Sequence, residues 1–201
     1  MSGSVLDVGA GSGGIGQYLS WPKELSGVKI YGSDILSPEF LPQGYTDYFS
    51  EGWQSIPNFE FNGALFIHVI EHIENWQEML HSVVAKLNGE SPIYIEWPSQ
   101  KSIHFPRASD VWDEFVLRGN NFSTQLLTTF NFFDDHTHVD EPPSMNEVVK
   151  VLQPLRVRQS GEIQLESLGA ELVAKGLREN DVTRVTLGVW ARFGFAQYVL
   201  V

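Results

Sequence analysis

Residues 5–16 read VLDVGAGSGGIG, and five of the eight positions from 9 to 16 are glycine. Such density interrupts strand and helix alike. The segment is therefore expected to be the end of a buried strand, Val5–Val8, then a tight loop, then a helix start. Two spacings overlap in it. Gly9, Gly11 and Gly14 fit G-x-G-x-x-G, and Asp7 with Gly9, Gly11 and Gly13 fits D-x-G-x-G-x-G. Either pattern brings backbone close to a ligand, and the glycines alone do not say which.

The rest of the chain sets the loop in a repeating order. Ile15–Trp21 reads as a short helix stopped by Pro22, and Val28–Ser33 as a second strand followed directly by Asp34. Tyr45–Phe49 and Ala64–Ile67 read as third and fourth strands. Glu74–Leu87 carries an apolar stripe at helical spacing closed by Asn88-Gly89, and Pro92–Trp97 reads as a fifth strand. Further on, Met145–Leu152, Leu165–Leu177 and Thr183–Arg192 suit helices, whereas Leu155–Gln159 and Ala196–Val201 suit strands. Alternation of this kind predicts an α/β fold, a doubly wound, mostly parallel sheet completed by a late strand pair to seven strands. Ligands of such sheets bind beyond the carboxyl ends of the strands. The glycine loop, Asp34, His68 and Trp97 are all expected there.

With 201 residues, a single domain spanning 1–201 is expected. Residues 99–143 have little periodicity but many phenylalanines and the polar run DDHTHVDE, and are expected to form a lid inserted over the site. The absence of cysteine excludes disulfides and thiolate chemistry. A formal net charge of −12 without a basic run disfavours nucleic acid and anionic membrane surfaces as partners. A small molecule is the expected partner, with the protein a monomer or homodimer. No stretch approaches the roughly 20 apolar residues of a membrane-spanning helix. Met1–Ser4 is too short for a leader, so a cytoplasmic location is expected.

Asp7 separates the two glycine readings. Beside a pyrophosphate it would repel, whereas a cationic amino acid end would welcome it, directly or through water. Asp34 suits ribose hydroxyls in both cases. The pattern from Asp7 to Gly13 resembles the first motif of the class I S-adenosylmethionine-dependent methyltransferases. ALFIHVIEHIENW resembles the segment after their fourth strand, with Glu71-His72-Ile73 on the Glu-His-apolar triplet. LNGESPIYIEWPS resembles their fifth strand, and FDDHTHVDEPPSMNEVV a later segment with Asp-x-Thr-His before a helix. The resemblance covers most of residues 5–155. It implies a Rossmann-like methyltransferase fold, S-adenosylmethionine as cofactor with S-adenosylhomocysteine as product, and methyl transfer to a small acceptor.

It also implies a site. Asp7, Gly9, Ala10, Gly11, Gly13, Asp34, Ile35, Glu51, Trp53 and His68 are the expected cofactor-binding residues, and His136, His138 and His72 the candidate bases. The Glu71-His72-Ile73 triplet resembles that of the ubiquinone-pathway O-methyltransferases, where an acid precedes Glu-His and a divalent ion can bind. His68 stands at that place here, so no metal ligand is assigned, and Glu71-His72 is read as capping the next helix. His68-x-x-Glu71-His72 also spells an inverted zinc-protease motif, but that motif needs a helix and His68 ends a strand. If residues 134–140 are extended, only one of His136 and His138 faces the site. A nicotinamide oxidoreductase and a non-catalytic nucleotide-binding module stand as rival readings.

Overall fold

The computed structural model describes residues 2–19, 26–110 and 129–201. Seven strands form one sheet: β1 (Ser2–Val8), β2 (Gly27–Ser33), β3 (Tyr45–Phe49), β4 (Gly63–Ile67), β5 (Ile93–Pro98), β6 (Gln159–Ile163) and β7 (Ala196–Leu200). Their order is β3-β2-β1-β4-β5-β7-β6, with β1 to β5 parallel and β7 antiparallel to both neighbours. Chain order reverses direction between β1 and β4, which opens a crevice at their carboxyl ends. The doubly wound seven-stranded fold is thus present.

Five helices are described: α1 (Gly14–Leu19), α2 (Trp76–Val84), α3 (Met145–Val151), α4 (Glu166–Glu179) and α5 (Val182–Phe193). The apolar stripe of α2 delivers Trp76, Met79, Leu80 and Val83 to the core beside Leu6, Phe66 and Ile95 of the central strands. α3 begins at a capping box, in which Ser144 and Glu147 satisfy each other's backbone donors. α4 and α5 pack closely because glycine removes the side chain at their contact. A Cβ on Gly169 would lie 2.6 Å from the Gly188 carbonyl, and one on Gly188 2.7 Å from the Val173 amide.

The sixth strand differs from the expectation. Leu155 and Val157 pack on the core as a connecting segment, and the strand is Gln159–Ile163 instead. An edge strand of sequence QSGEI, largely exposed, needs no apolar alternation and therefore carries no pattern to read. Of the 99–143 segment, a 3₁₀ turn at Gln100–His104 and another at Phe132–Asp134 are described. Residues 111–128, with Trp112, lie outside the described residues. Trp97 is fully buried, and its indole N–H donates to the Pro143 carbonyl at 2.7 Å. It fastens the end of that segment to the sheet rather than facing the crevice.

The glycine loop is held from beneath by the edge strand. The Tyr45 hydroxyl donates to Asp7 Oδ2 at 2.5 Å and accepts the Gly16 amide at 3.2 Å. The Tyr48 hydroxyl donates to the Gly11 carbonyl at 2.7 Å. Residues three apart in a strand normally face opposite ways. Here Ile30 pairs with Tyr45 but Tyr31 with Asp47, so Thr46 is an extra residue and the bulge turns both tyrosines to the loop.

Asp7 is 1% exposed, and burial pushes its carboxyl up to about 6, against the opposing hydrogen bond from Tyr45 and aided by nearby Asp34. A raised carboxyl stabilises the fold when protonated, so this contribution is intact below about pH 4 and is lost as pH rises toward 6. Asp7→Asn keeps an acceptor for Tyr45 without the charge. Its stability relative to the parent should improve by up to about 3 kcal/mol between pH 4 and pH 7, measured by denaturant unfolding at the two pH values.

Candidate active site

The carboxyl ends of β1 and β2 build a cradle. Gly9 and Ala10 both donate their amides to the Ser33 carbonyl, tying the loop to the end of β2. Asp34 then accepts the Gly11 amide at Oδ2, 2.9 Å, and the Leu36 amide at Oδ1, 2.8 Å. Each carboxylate oxygen has further lone pairs for hydroxyl donors. The Gly52 amide donates to the Asp34 backbone carbonyl at 2.9 Å, which brings the 51–53 turn beside the 34–36 turn. Ile35, 81% exposed, stands next to Gly52, with exposed Glu51 and half-buried Trp53 alongside.

The glycines divide into two kinds. A Cβ on Gly13 would meet Pro42 at 2.3 Å, and one on Gly16 would meet Tyr45 at 2.2 Å, so those positions are small because protein fills the space. Gly11 has φ +53° and nothing within 4 Å of its absent Cβ. That open face, next to Asp34, is the space a ligand would fill.

The second half of the site stands at the ends of β4 and β5. His68 follows β4 with φ +53°, and its amide donates to the Glu96 carbonyl. Its ring lies between two carboxylates, Nδ1 3.1 Å from Glu71 Oε1 and Nε2 3.4 Å from Glu96 Oε1. Burial lowers the pKa of this imidazole, but the hydrogen bonds to Glu71 and Glu96 outweigh it and push it up to about 9. Glu96 is correspondingly held below the usual carboxylate range by His68 and Tyr94, despite burial. His68 is therefore an imidazolium at neutral pH and no proton acceptor.

Glu71 and His72 lie in a 3₁₀ turn, Ile70–His72, and not at the cap of α2, whose N-cap Asn75 has no side-chain cap bond. Residues 135–139 meet them there. The Val139 amide donates to the Glu71 carbonyl, and the ring centroids of His72 and His138 are 4.7 Å apart. Thr137 Oγ1 donates to Asp135 Oδ1 at 2.5 Å and so accepts from His72 Nδ1 at 2.9 Å. His138 Nδ1 donates to the Phe132 carbonyl at 2.6 Å, with its ring stacked on Phe132. Burial, with His72 close by, holds His138 below the usual histidine range. His136 is exposed.

A methyltransferase-domain family model matches residues 1–144. The chain belongs to that family. It is an S-adenosylmethionine-dependent methyltransferase. Its fold is shared with a SAM-dependent methyltransferase from Archaeoglobus fulgidus at 21% identity, over 99% of this chain and 85% of that one, TM-score 0.58. It is shared equally with one from Mesorhizobium loti at 12% identity, over 99% and 90%, TM-score 0.59. The plantazolicin methyltransferase in complex with SAH matches at 18% identity, over 98% and 74%, TM-score 0.57. No curated protein matches the chain.

The open face of Gly11 and the spare lone pairs of Asp34 are chemically suited to the cofactor of this methyltransferase. Sequence reasoning missed Tyr45, Tyr48 and Glu96. The two tyrosines stand three apart, and only the bulge in β3 shows that they share a face. Asp7, expected near the cationic end of the cofactor, is turned into the core toward Tyr45.

Gly11→Ala separates ligand space from packing. The added methyl meets no protein atom, so the fold should lose only the cost of a left-handed residue, about 1–2 kcal/mol. Affinity for S-adenosylhomocysteine should fall at least about tenfold, since a methyl group then occupies the cradle. Calorimetric titration beside a melting curve measures both; unchanged affinity would place the cofactor elsewhere.

Proposed function

We propose that this methyltransferase acts on a small-molecule nucleophile, with His138 as general base and His72 beside it. The carrying observation is the paired imidazoles at the end of β4, each with Nδ1 tied to the protein and Nε2 without a hydrogen bond among the described residues. A neutral Nε2 can take a proton, and the depressed pKa keeps His138 neutral at pH 7. His136, exposed, is the weaker candidate. The net charge of −12 favours a small acceptor over nucleic acid.

In this reading Asp34 holds the ribose hydroxyls, and Ile35, Glu51 and Trp53 surround the adenine. Gly9, Ala10, Gly11 and Gly13 shape the loop for the amino acid end, and Asp7 acts on that loop through Tyr45. His68 borders the reacting centre, its ring fixed by two carboxylates. Bound S-adenosylmethionine supplies a methyl group activated by its sulfonium. The protein then has to align the acceptor, remove its proton and exclude water. Residues 132–139 carry the base to the acceptor and form one wall of its pocket.

His138→Ala should cut kcat by about 10²–10⁴ while leaving cofactor affinity within about twofold. Because the pKa of His138 lies below the ordinary 6.5, the parent's rate should be level at pH 7 and fall only on the acid side of 6.5. Turnover and calorimetric titration of the two proteins test this. A full loss in His136→Ala with none in His138→Ala would move the base to His136.

A further inference from the structure

One buried charge at the end of β4 lacks a complete set of partners. Glu71 is 3% exposed; its Oε1 is paired with His68, but its Oε2 has no hydrogen-bond partner among the described residues. His72 and His138 stand beside it, and one ligand atom from each of the three lies within 4.8 Å of the others. Both histidines have an N–H at Nδ1, turned to Thr137 and to the Phe132 carbonyl, which leaves both Nε2 atoms without a hydrogen-bond partner among the described residues. A buried acceptor left without a donor is costly, and a donor on a molecule bound beside Glu71 Oε2 and the two half-buried imidazoles would satisfy it.

The local charge points the same way. Among the described residues, Glu71 and Glu96 share His68 as their ion-pair partner, and Asp135 stands near His72 and His138. Asp135 is held below the usual carboxylate range by Thr137, despite partial burial, and so stays ionised. A hydroxyl brings a single hydrogen and no charge. A protonated amine brings two or three hydrogens on one atom together with a positive charge, which suits an unpartnered buried Glu71 oxygen with two imidazoles clustered beside it.

We infer that the methyl acceptor is a primary or secondary amine, bound as its ammonium ion against Glu71, His72 and His138. The inference rests on the proposed reading that these histidines face the acceptor. The ammonium gives one N–H proton to His138 Nε2, which becomes an imidazolium. The freed nitrogen lone pair forms the N–C bond to the methyl carbon while the C–S bond breaks and its electron pair stays on sulfur. The positive charge passes from sulfur to the methylated nitrogen, and His138 returns its proton to water.

The test uses tag-free, chelator-treated enzyme with trideuteromethyl S-adenosylmethionine. Its probes are benzylamine and N-methylbenzylamine against benzyl alcohol and phenol, followed by the small-molecule fraction of a cell extract, with products located by mass spectrometry. The expected label is on nitrogen, with amines favoured by about 100-fold or more in kcat/KM over the alcohols. Glu71→Gln and, at a half-buried position, His72→Gln should each raise the amine KM about tenfold or more with cofactor affinity unchanged. The exposed His104→Ala should leave both as in the parent. Label on oxygen or carbon overturns the inference while methyl transfer itself stands. So does turnover that requires added magnesium or zinc and vanishes in His72→Gln, which would make the cluster a metal site. No label on any probe or extract component overturns the small-molecule reading itself, and this inference with it.

Discussion

The hydrogen bond between Tyr45 and Asp7 is the constraint on which the cofactor half of the site depends. A buried carboxylate beneath a glycine loop would be costly alone, and a loop without side chains has little to hold its shape. Each problem answers the other. The tyrosine hydroxyl satisfies Asp7 and receives the Gly16 amide, and its ring fills the space that a side chain at Gly16 would need, as Pro42 does at Gly13 and Tyr48 at Gly32. Tyr48 fixes the Gly11 carbonyl from the same strand. At Gly11 and Gly14, by contrast, a side chain would meet nothing within 4 Å. An edge strand thus shapes a loop two strands away, because the bulge in β3 aims both rings inward.

The ends of β4 and β5 rest on a different arrangement of charge. His68 is fixed between Glu71 and Glu96 in a backbone conformation that non-glycine residues seldom adopt. Its positive charge offsets part of two carboxylates and leaves Glu71 with one free oxygen. The neighbouring pair, His72 and His138, has its ring tautomers fixed by Thr137, Asp135 and the Phe132 carbonyl. Three histidines in one corner therefore do different work. His68 is held as a cation at neutral pH and His138 is held below the usual histidine range, and the difference comes from which groups touch which ring.

Much of the fold was legible because its signals are local. Apolar runs marked β1, β2, β4 and β5, the first ended by Gly9 and the last by Pro98, and helical spacing marked α2. β6 was not legible, since an exposed edge strand of polar residues carries no periodicity. Within the site, the loop and Asp34 were readable from their place after strands. Trp97 was not: its position at the end of β5 suggested the crevice, but the indole N–H was needed by Pro143. Glu71-His72 read as a helix cap, whereas the turn they form ends before α2 begins.

By itself the sequence determined the order of elements, the parallel sheet, the glycine loop and its acidic companion, and the class of cofactor. Each of these is set by residues close together in the chain, where backbone preference and period act directly. Tertiary structure alone decided which glycines serve packing and which serve a ligand, since that depends on residues such as Pro42 and Tyr45 coming from β3 and its approach. It alone turned Asp7 inward, charged His68, and set His138 against His72 across 66 residues of chain. Hydrogen-bond direction and local charge are properties of neighbours in space, and the chain order of those neighbours does not contain them.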